Sequence, residues 1–336
     1  MTSKDYIKHI GEVQLIKIIE DILFQETGYK LIRDDVFFFE SQAPPNSIIL
    51  NTDMFVSTTD APVKMNYFQM GHKSVIMNIS DLVVKGVKPK GIIISLGLPM
   101  TLLRAEFEDL IRGIIACSKN WNLNYLGGDL NESKEIIISP TVFGFKNPKN
   151  IIRRAGVKEG DFLVINNKFG LTSVGFDILL NKKGDIKSYP KYARSIKSVL
   201  EPNITANEGI FLSNMGLASA SIDSSDGLVK SLRDLMQSNK DLGFEIEIND
   251  NLVDPEAIKY AIEYNVSIES LILKGGEEFI HLFTIPPENY KKSIRLAKSE
   301  GGFLIKVGKV IPGEKIYFLK ENERLEITDH GYEHFK

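Results

Sequence analysis

The sequence predicts a mixed α/β protein of two domains, and three observations carry that reading. The chain has 336 residues, longer than one core commonly serves and long enough for two. Apolar runs at strand spacing and at helical spacing interleave along it. A polar stretch, Lys146-Asn147-Pro148-Lys149-Asn150, interrupts them near the middle. The division is therefore placed after residue 148, giving domains over 1–148 and 149–336.

In chain order, Leu15, Ile18, Ile19, Ile22 and Leu23 fall at helical spacing and predict a helix over Gln14–Phe24. Val36–Phe39 and Ser47–Leu50 read as strands on either side of the turn signal Ala43-Pro44-Pro45-Asn46. Gln69–Lys85 reads as a helix stopped by Gly86-Val87-Lys88-Pro89, where glycine suits the C-terminal cap and proline cannot continue the helix. Gly91–Leu98 suits a buried strand, Leu102–Asn120 an amphipathic helix, and Glu135–Phe145 a strand rich in β-branched residues. Beyond the linker, strands are expected at Phe162–Ile165, Ala218–Ile222, Phe244–Ile248, Phe279–Ile285 and Phe303–Val310. Helices are expected at Leu171–Leu180, Asn207–Met215, Leu228–Gln237, Pro255–Tyr264 and Pro287–Glu300.

Composition narrows the function classes. Hydrophobic residues make up 43% and charged residues 25%, the balance of a soluble globular protein. A net charge of −3 provides no basic field for nucleic acid. The single cysteine, Cys117, excludes an internal disulfide and a thiolate zinc site. Met1–Gly11 is polar and has no signal-peptide core. No run reaches the roughly 20 apolar residues of a membrane helix. A cytoplasmic protein with no membrane or nucleic-acid partner is expected.

The acidic residues are placed less evenly. They stand at the ends of short apolar runs in Arg33-Asp34-Asp35, Asn51-Thr52-Asp53, Asn78-Ile79-Ser80-Asp81-Leu82, Gly127-Gly128-Asp129 and Asp223-Ser224-Ser225-Asp226-Gly227. Mg²⁺ takes hard oxygen ligands, one or two carboxylates at a time, and keeps several waters. Carboxylates converging within about 4 Å repel one another strongly unless metal ions sit among them. Convergence of Asp35, Asp53, Asp81, Asp129, Asp223 and Asp226 would therefore make a multi-metal site able to hold nucleotide phosphates. Each motif also has a plainer reading. Asp34-Asp35 suits a solvated turn, Asp81 a polar helix face, Gly127-Gly128 a tight turn, and Ser225-Asp226 a helix cap. The G-x-x-x-x-G-K-[ST], H-R-D, H-E-x-x-H and G-x-S-x-G patterns are absent. His72, His281 and His334 do not cluster in sequence and read as structural.

Taken in order, the motifs resemble the thiamine-monophosphate kinase family, within the larger group that includes aminoimidazole ribonucleotide synthetase and selenophosphate synthetase. The acidic motifs are joined by Gly71-His72-Lys73-Ser74, Arg154-Ala155-Gly156-Val157-Lys158-Glu159-Gly160-Asp161, Lys274-Gly275-Gly276-Glu277-Glu278-Phe279 and Gly331-Tyr332-Glu333-His334-Phe335. The resemblance implies an N-terminal ATP-binding domain that pairs with its copy in a homodimer, joining sheets into a shared β-barrel. It implies a C-terminal α/β sandwich domain that completes the site. It also implies direct transfer of the ATP γ-phosphate to thiamine monophosphate, with several Mg²⁺ ions. By motif position, Asp35, Asn51, Thr52, Asp53, Asp81, Asp129, Asp223 and Asp226 would be metal ligands, with Asp53, Asp129 and Asp226 at the transferring group. Gly128, Asp129, Arg154 and Ser225 would meet ATP, and Asp60, Glu277 and Tyr332 the thiamine substrate. An aromatic face at Tyr332 suits a cationic ring. The chain departs from the family pattern at Arg33, Asn51, Asp60, Leu130 and Ile280. Two alternatives stay open: another ATP-dependent enzyme of the same group with a different acceptor, and a non-catalytic ATP-binding protein of that fold.

Overall fold

The computed structural model describes residues 37–38, 47–204, 207–273, 275–320, 323–329 and 331–332. The expected helix at Gln14–Phe24 and the Asp34-Asp35 pair lie outside the described residues. In chain order the N-terminal half contains β1 (Phe37–Phe38), β2 (Ser47–Thr52), β3 (Phe55–Val56), α1 (Ser57–Asp60), α2 (Tyr67–Val84), β4 (Pro89–Leu98), α3 (Arg104–Asn120), β5 (Asn124–Glu132) and β6 (Ile137–Lys146). The C-terminal half contains β7 (Phe162–Ile165), α4 (Leu171–Phe176), α5 (Ala193–Leu200), α6 (Asn207–Asn214), β8 (Ala220–Ser224), α7 (Leu228–Ser238) and β9 (Leu242–Glu247). It continues with α8 (Pro255–Tyr264), α9 (Ile268–Leu273), β10 (Ile280–Ile285), α10 (Pro287–Ser299), β11 (Ile305–Pro312), β12 (Ile316–Lys320) and β13 (Glu323–Glu326).

Two sheets organise these elements. The first runs β1-β2-β6-β4-β5, with β3 also paired to β6. The second runs β13-β12-β9-β11-β7-β10-β8. In the first sheet, strand alternation separates two faces. Ile49, Val142, Ile92 and Ile94 point into the core, where α2 and α3 pack. Ile48, Ile93 and Phe145 on the opposite face are exposed. Strand β5 pairs only with β4 among the described residues, and its Tyr125, Leu126 and Leu130 are exposed.

Helix α2 is the hub. Asn66 and Gln69 start it with a reciprocal capping box: the Asn66 side chain accepts from the Gln69 amide at 2.9 Å, and Gln69 accepts from the Asn66 amide at 3.0 Å. Its apolar residues Val75, Ile76, Ile79, Leu82, Val83 and Val84 are all fully buried, so it is covered on more than one side. One side packs on β2 and β6, and others meet α3, α6, β8 and β10. The β8 edge of the second sheet is thereby covered by a helix from the other half. Ser221 Oγ on β8 donates to the Val84 carbonyl at 2.9 Å, fixing that contact.

Candidate active site

Three aspartates come near enough to act on one another where α2 crosses the ends of β2 and β8. Asp53 follows β2, Asp81 lies on α2, and Asp223 is the fourth residue of β8. Asn51 links the first two: its Nδ2 donates to Asp81 at 2.7 Å and to Asp53 at 3.3 Å. Asn78, one turn before Asp81, accepts from the Asp53 backbone N–H at 2.7 Å and so holds the chain there. Ser80 Oγ donates to Asp223 Oδ2 at 2.8 Å.

The electrostatics of this cluster are unfavourable without added positive charge. Burial pushes the Asp81 carboxyl well above the usual carboxylate range, and the Asp223 and Asp53 charges push it further. Burial also raises Asp53, opposed by its hydrogen bonds to Asp81 and Asn51. Asp223 is raised by burial too, opposed first by the Ser80 hydrogen bond. Lys85, fully buried at the end of α2, donates to the Ser221 carbonyl at 2.6 Å and acts on Asp81 and Asp223 through space. His281 is the β10 residue directly across from Asp223, and its Nε2 is 3.4 Å from Ser80 Oγ. Burial, with Lys85 adding to it, lowers His281 to about 3, so it stands as a neutral imidazole.

Two loops close the C-terminal side. Asp223-Ser224-Ser225-Asp226-Gly227 leads into α7, and Gly275–Phe279 leads into β10. They are tied by backbone bonds from Glu277 N to the Ser225 carbonyl at 2.5 Å and from Phe279 N to the Ser224 carbonyl at 3.0 Å. Gly227 has φ of 93°, and a Cβ there would collide with the Gly275 carbonyl, so this contact requires glycine. The α7 N-terminus beyond it is a site that favours anions. Gly331, just before Tyr332, packs against Lys230 in the first turn of α7.

A third group lies farther along α2. Lys73 is fully buried and donates to both Glu277 carboxylate oxygens at 2.6 Å and to the Asp60 carbonyl at 2.7 Å. Burial raises the Glu277 carboxyl, opposed mainly by Lys73. The next residue, Glu278, is raised by burial to about 7 and accepts from the Gly170 N–H at 2.7 Å.

Residues 34–145 match the family described as AIR synthase related protein, N-terminal domain. Over its whole length the chain is similar to the thiamine-monophosphate kinase of Nitrosopumilus maritimus, with 30% identity covering 97% of this chain and 99% of that protein. The chain belongs to the thiamine-monophosphate kinase family. The Pyrococcus horikoshii thiamine-monophosphate kinase is 31% identical, with 86% of each chain covered. A solved structure, AaThiL complexed with AMPPCP and TMP, superposes with a TM-score of 0.83 at 26% identity, covering 99% of this chain and 100% of that one. The fold is thus the family's two-domain mixed α/β architecture.

Against the positions expected for a thiamine-monophosphate kinase, the structure gathers Asn51, Asp53, Asp81 and Asp223 at one place. Asp226, Ser225 and Glu277 lie on the two tied loops, and Tyr332 follows Gly331, which packs on the first turn of α7. Arg154 is 3.6 Å from Asp234 on α7 and close enough to lower Asp223 through space. Thr52 turns to the other sheet face, where its hydroxyl donates to the Pro140 carbonyl at 2.9 Å. Asn51 contributes here as an amide donor that bridges carboxylates. Asp60 Oδ2 accepts from the Val56 N–H at 2.6 Å. Asp35 lies outside the described residues.

Gly128 and Asp129 stand apart. They are on β5, separated from β2 by β4 and β6, which puts the two strands about 14 Å apart across the sheet at ordinary strand spacing. Between Ile92 and Ile94 the pairing with β5 slips by one residue, and Gly127 takes up the resulting bulge with φ of 124°. A Cβ on Gly128 would collide with the Ile94 carbonyl.

Among the described residues, no three His, Cys, Asp or Glu side chains already converge as a cage for a metal ion. The donor chemistry nevertheless fits Mg²⁺. Hard carboxylate oxygens are gathered at cost to their ionisation, and Mg²⁺ binds through one or two of them with waters and phosphate oxygens completing its shell. Sequence reading alone did not single out Lys73, Asn78, Ser80 and Lys85 as site residues. One signal was available: Ser74, Asn78, Asp81 and the C-cap Lys85 repeat at steps of four, three and four, a polar stripe on a helix whose second half is mostly apolar.

Proposed function

We propose that this protein is a kinase that transfers the ATP γ-phosphate to thiamine monophosphate, giving thiamine diphosphate and ADP. Family membership over nearly the full chain, together with the buried Asp53–Asp81–Asp223 cluster, carries the reading. Asp53, Asp81 and Asp223 would hold Mg²⁺, assisted by Asp226 and Asp35, with Asp129 reaching a metal only across a dimer. Bound there, Mg²⁺ would neutralise phosphate charge and align the transferring group.

The chain's own residues supply the remainder. Asn51, Asn78 and Ser80 fix the carboxylates' positions before nucleotide arrives, which lowers the reorganisation needed for transfer. Ser225 and the α7 N-terminus receive phosphate oxygens, and Arg154 adds positive charge beside them. Glu277 and Asp60 make the acceptor side negative, and Tyr332 offers an aromatic face, both suited to a thiazolium cation. The acceptor is a phosphate monoester whose second pKa is about 6, so its attacking oxygen is already ionised at neutral pH and transfer requires no general base.

We further propose that residues 149–336 complete a site begun by residues 1–148, and that the protein works in the cytoplasm. No helix among the described residues is long and apolar enough to cross a membrane. The bare face at Ile48, Ile93 and Phe145, continuous with the open β5 edge, supports a homodimer whose sheets join as a barrel. In such a dimer Gly128 and Asp129 would serve the partner's nucleotide site. Sedimentation should give a dimer that Phe145→Glu converts to monomer.

The deciding test is incubation of the protein with ATP, Mg²⁺ and thiamine monophosphate. Chromatography should show thiamine diphosphate and ADP in equal amounts. Folded protein that binds an ATP analogue yet makes no thiamine diphosphate would remove this function.

A further inference from the structure

We propose that Lys73 is a positioning residue that sets the acceptor side of the site, by pinning Glu277 of the C-terminal half to the Asp60 loop of the N-terminal half. The inference rests on the acceptor reading above. Three observations carry it. First, the ammonium's three N–H donors match three oxygens: Glu277 Oε1 and Oε2, each at 2.6 Å, and the Asp60 carbonyl at 2.7 Å. Second, Lys73 is 0% exposed, and its Nζ lies 5.8 Å from the centre of the Phe55 ring. A lysine so enclosed holds its charge only through such partners, and removing one of them leaves the other uncompensated. Third, Glu277 has φ of 59° and Phe279 of 48°. Non-glycine residues rarely adopt that backbone region, and it persists where surrounding contacts hold it.

The pin reaches both acceptor-side carboxylates. Glu277 is gripped by its side chain. The Asp60 loop is gripped at its backbone, and the Asp60 carboxylate closes its own turn on the Val56 N–H. Glu277 N also bonds to the Ser225 carbonyl, so the pin fixes the acceptor loop against the nucleotide loop. The two Glu277 oxygens and the Asp60 carbonyl use all three Lys73 N–H donors, so its action is confined to the acceptor side.

The experiment compares Lys73→Met, Lys73→Arg, Glu277→Gln and the double variant Lys73→Met/Glu277→Gln. Steady-state kinetics should show KM for thiamine monophosphate raised at least about tenfold by Lys73→Met, with KM for ATP within about twofold of the original. Lys73→Arg, which keeps the charge and can still reach a carboxylate, should recover most of the loss. The double variant should be no worse than Lys73→Met, because both changes break one contact. Equal rises in both KM values, or losses that multiply in the double variant, would overturn the proposal. Hydrogen exchange is the second readout and needs no turnover. Lys73→Met should speed exchange in residues 57–61 and 275–279 while leaving 90–98 unchanged; unchanged exchange in the first two segments overturns the pin. If the unmodified protein makes no thiamine diphosphate, the kinase reading falls and exchange still decides the role of Lys73.

Discussion

Two regions along α2 handle buried charge in opposite ways. At its C-terminal end, Asp53, Asp81 and Asp223 crowd together, and the nearest lysine, Lys85, donates to a carbonyl while acting on Asp81 and Asp223 through space. All three carboxyls are pushed towards their neutral forms. Near its N-terminal end, Lys73 bonds Glu277 directly through two short contacts. The first region holds more negative than positive charge, and a further cation there would relieve it. The second is already closed by its own lysine and is built to hold a shape. The same helix therefore carries a receptive site and a finished one.

This contrast can be broken in four ways, in decreasing order of expected effect. Asp53→Asn should lower kcat by about 10²–10³-fold, the usual loss when a preorganised electrostatic group is removed. It should leave the melting temperature unchanged or raised, because one of three crowded charges is gone. A steady-state ADP assay and a thermal melt check both, and near-normal turnover would take Asp53 out of the receptive region. Next, Lys85→Met leaves the aspartates without their buried cation and should destabilise the fold by about 3–5 kcal/mol in urea titration. A neutral effect would show that the cluster tolerates its own charge.

The third test uses Glu278, next to the finished region. Its folded value, about 7, lies above its ordinary value of 4.5. The folded state therefore binds this proton more tightly than the unfolded state. Its stabilising contribution is complete below pH 4.5 and is lost as pH rises through 7. Glu278→Gln should flatten the fall in urea stability across that window. The fourth and smallest effect is Asp60→Asn. Its carboxylate keeps a backbone partner and, in the proposed site, would act on the acceptor only as a charge, so KM for thiamine monophosphate should rise by less than about tenfold, as for partly screened charges. A loss larger than that of Lys73→Met would make Asp60, rather than the pin, the dominant acceptor group.

Much of the fold was legible because periodicity is a local property. The β7 strand at Phe162–Ile165 and the α8 helix at Pro255–Tyr264 fall where the pattern puts them. Leu171–Leu180 was read as one helix, whereas the α-helix ends at Phe176 and Asp177–Asn181 follows as a wider π-turn. β5 was hidden because Gly127, Gly128 and Asp129 read as a turn, and only pairing with β4 makes them a strand. β13 escaped because Glu323–Glu326 is exposed throughout and carries no buried alternation.

The site was legible as a set of aspartates and illegible as an environment. Nothing local marks Lys73 and Lys85 as buried, because lysines in an amphipathic pattern ordinarily face water. Both are fully enclosed because α2 is packed from both halves of the chain, a long-range fact. Asp129 shows the converse: its motif suggested company with Asp53, and the sheet order holds them three strands apart.

The way α2 carries both regions has a mechanical consequence. Lys73 and Asp81 are eight residues apart on one uninterrupted helix, a separation of about 12 Å along its axis. The helix thus acts as a ruler between the Lys73–Glu277 contact and the aspartate cluster, and its length and winding are set by backbone hydrogen bonds rather than by the side chains at either mark. Point changes between the two marks alter what lies beside the ruler. Inserting a single residue there would turn everything beyond it by about 100°, so Lys73 could not keep Glu277 while Asp81 kept Asn51.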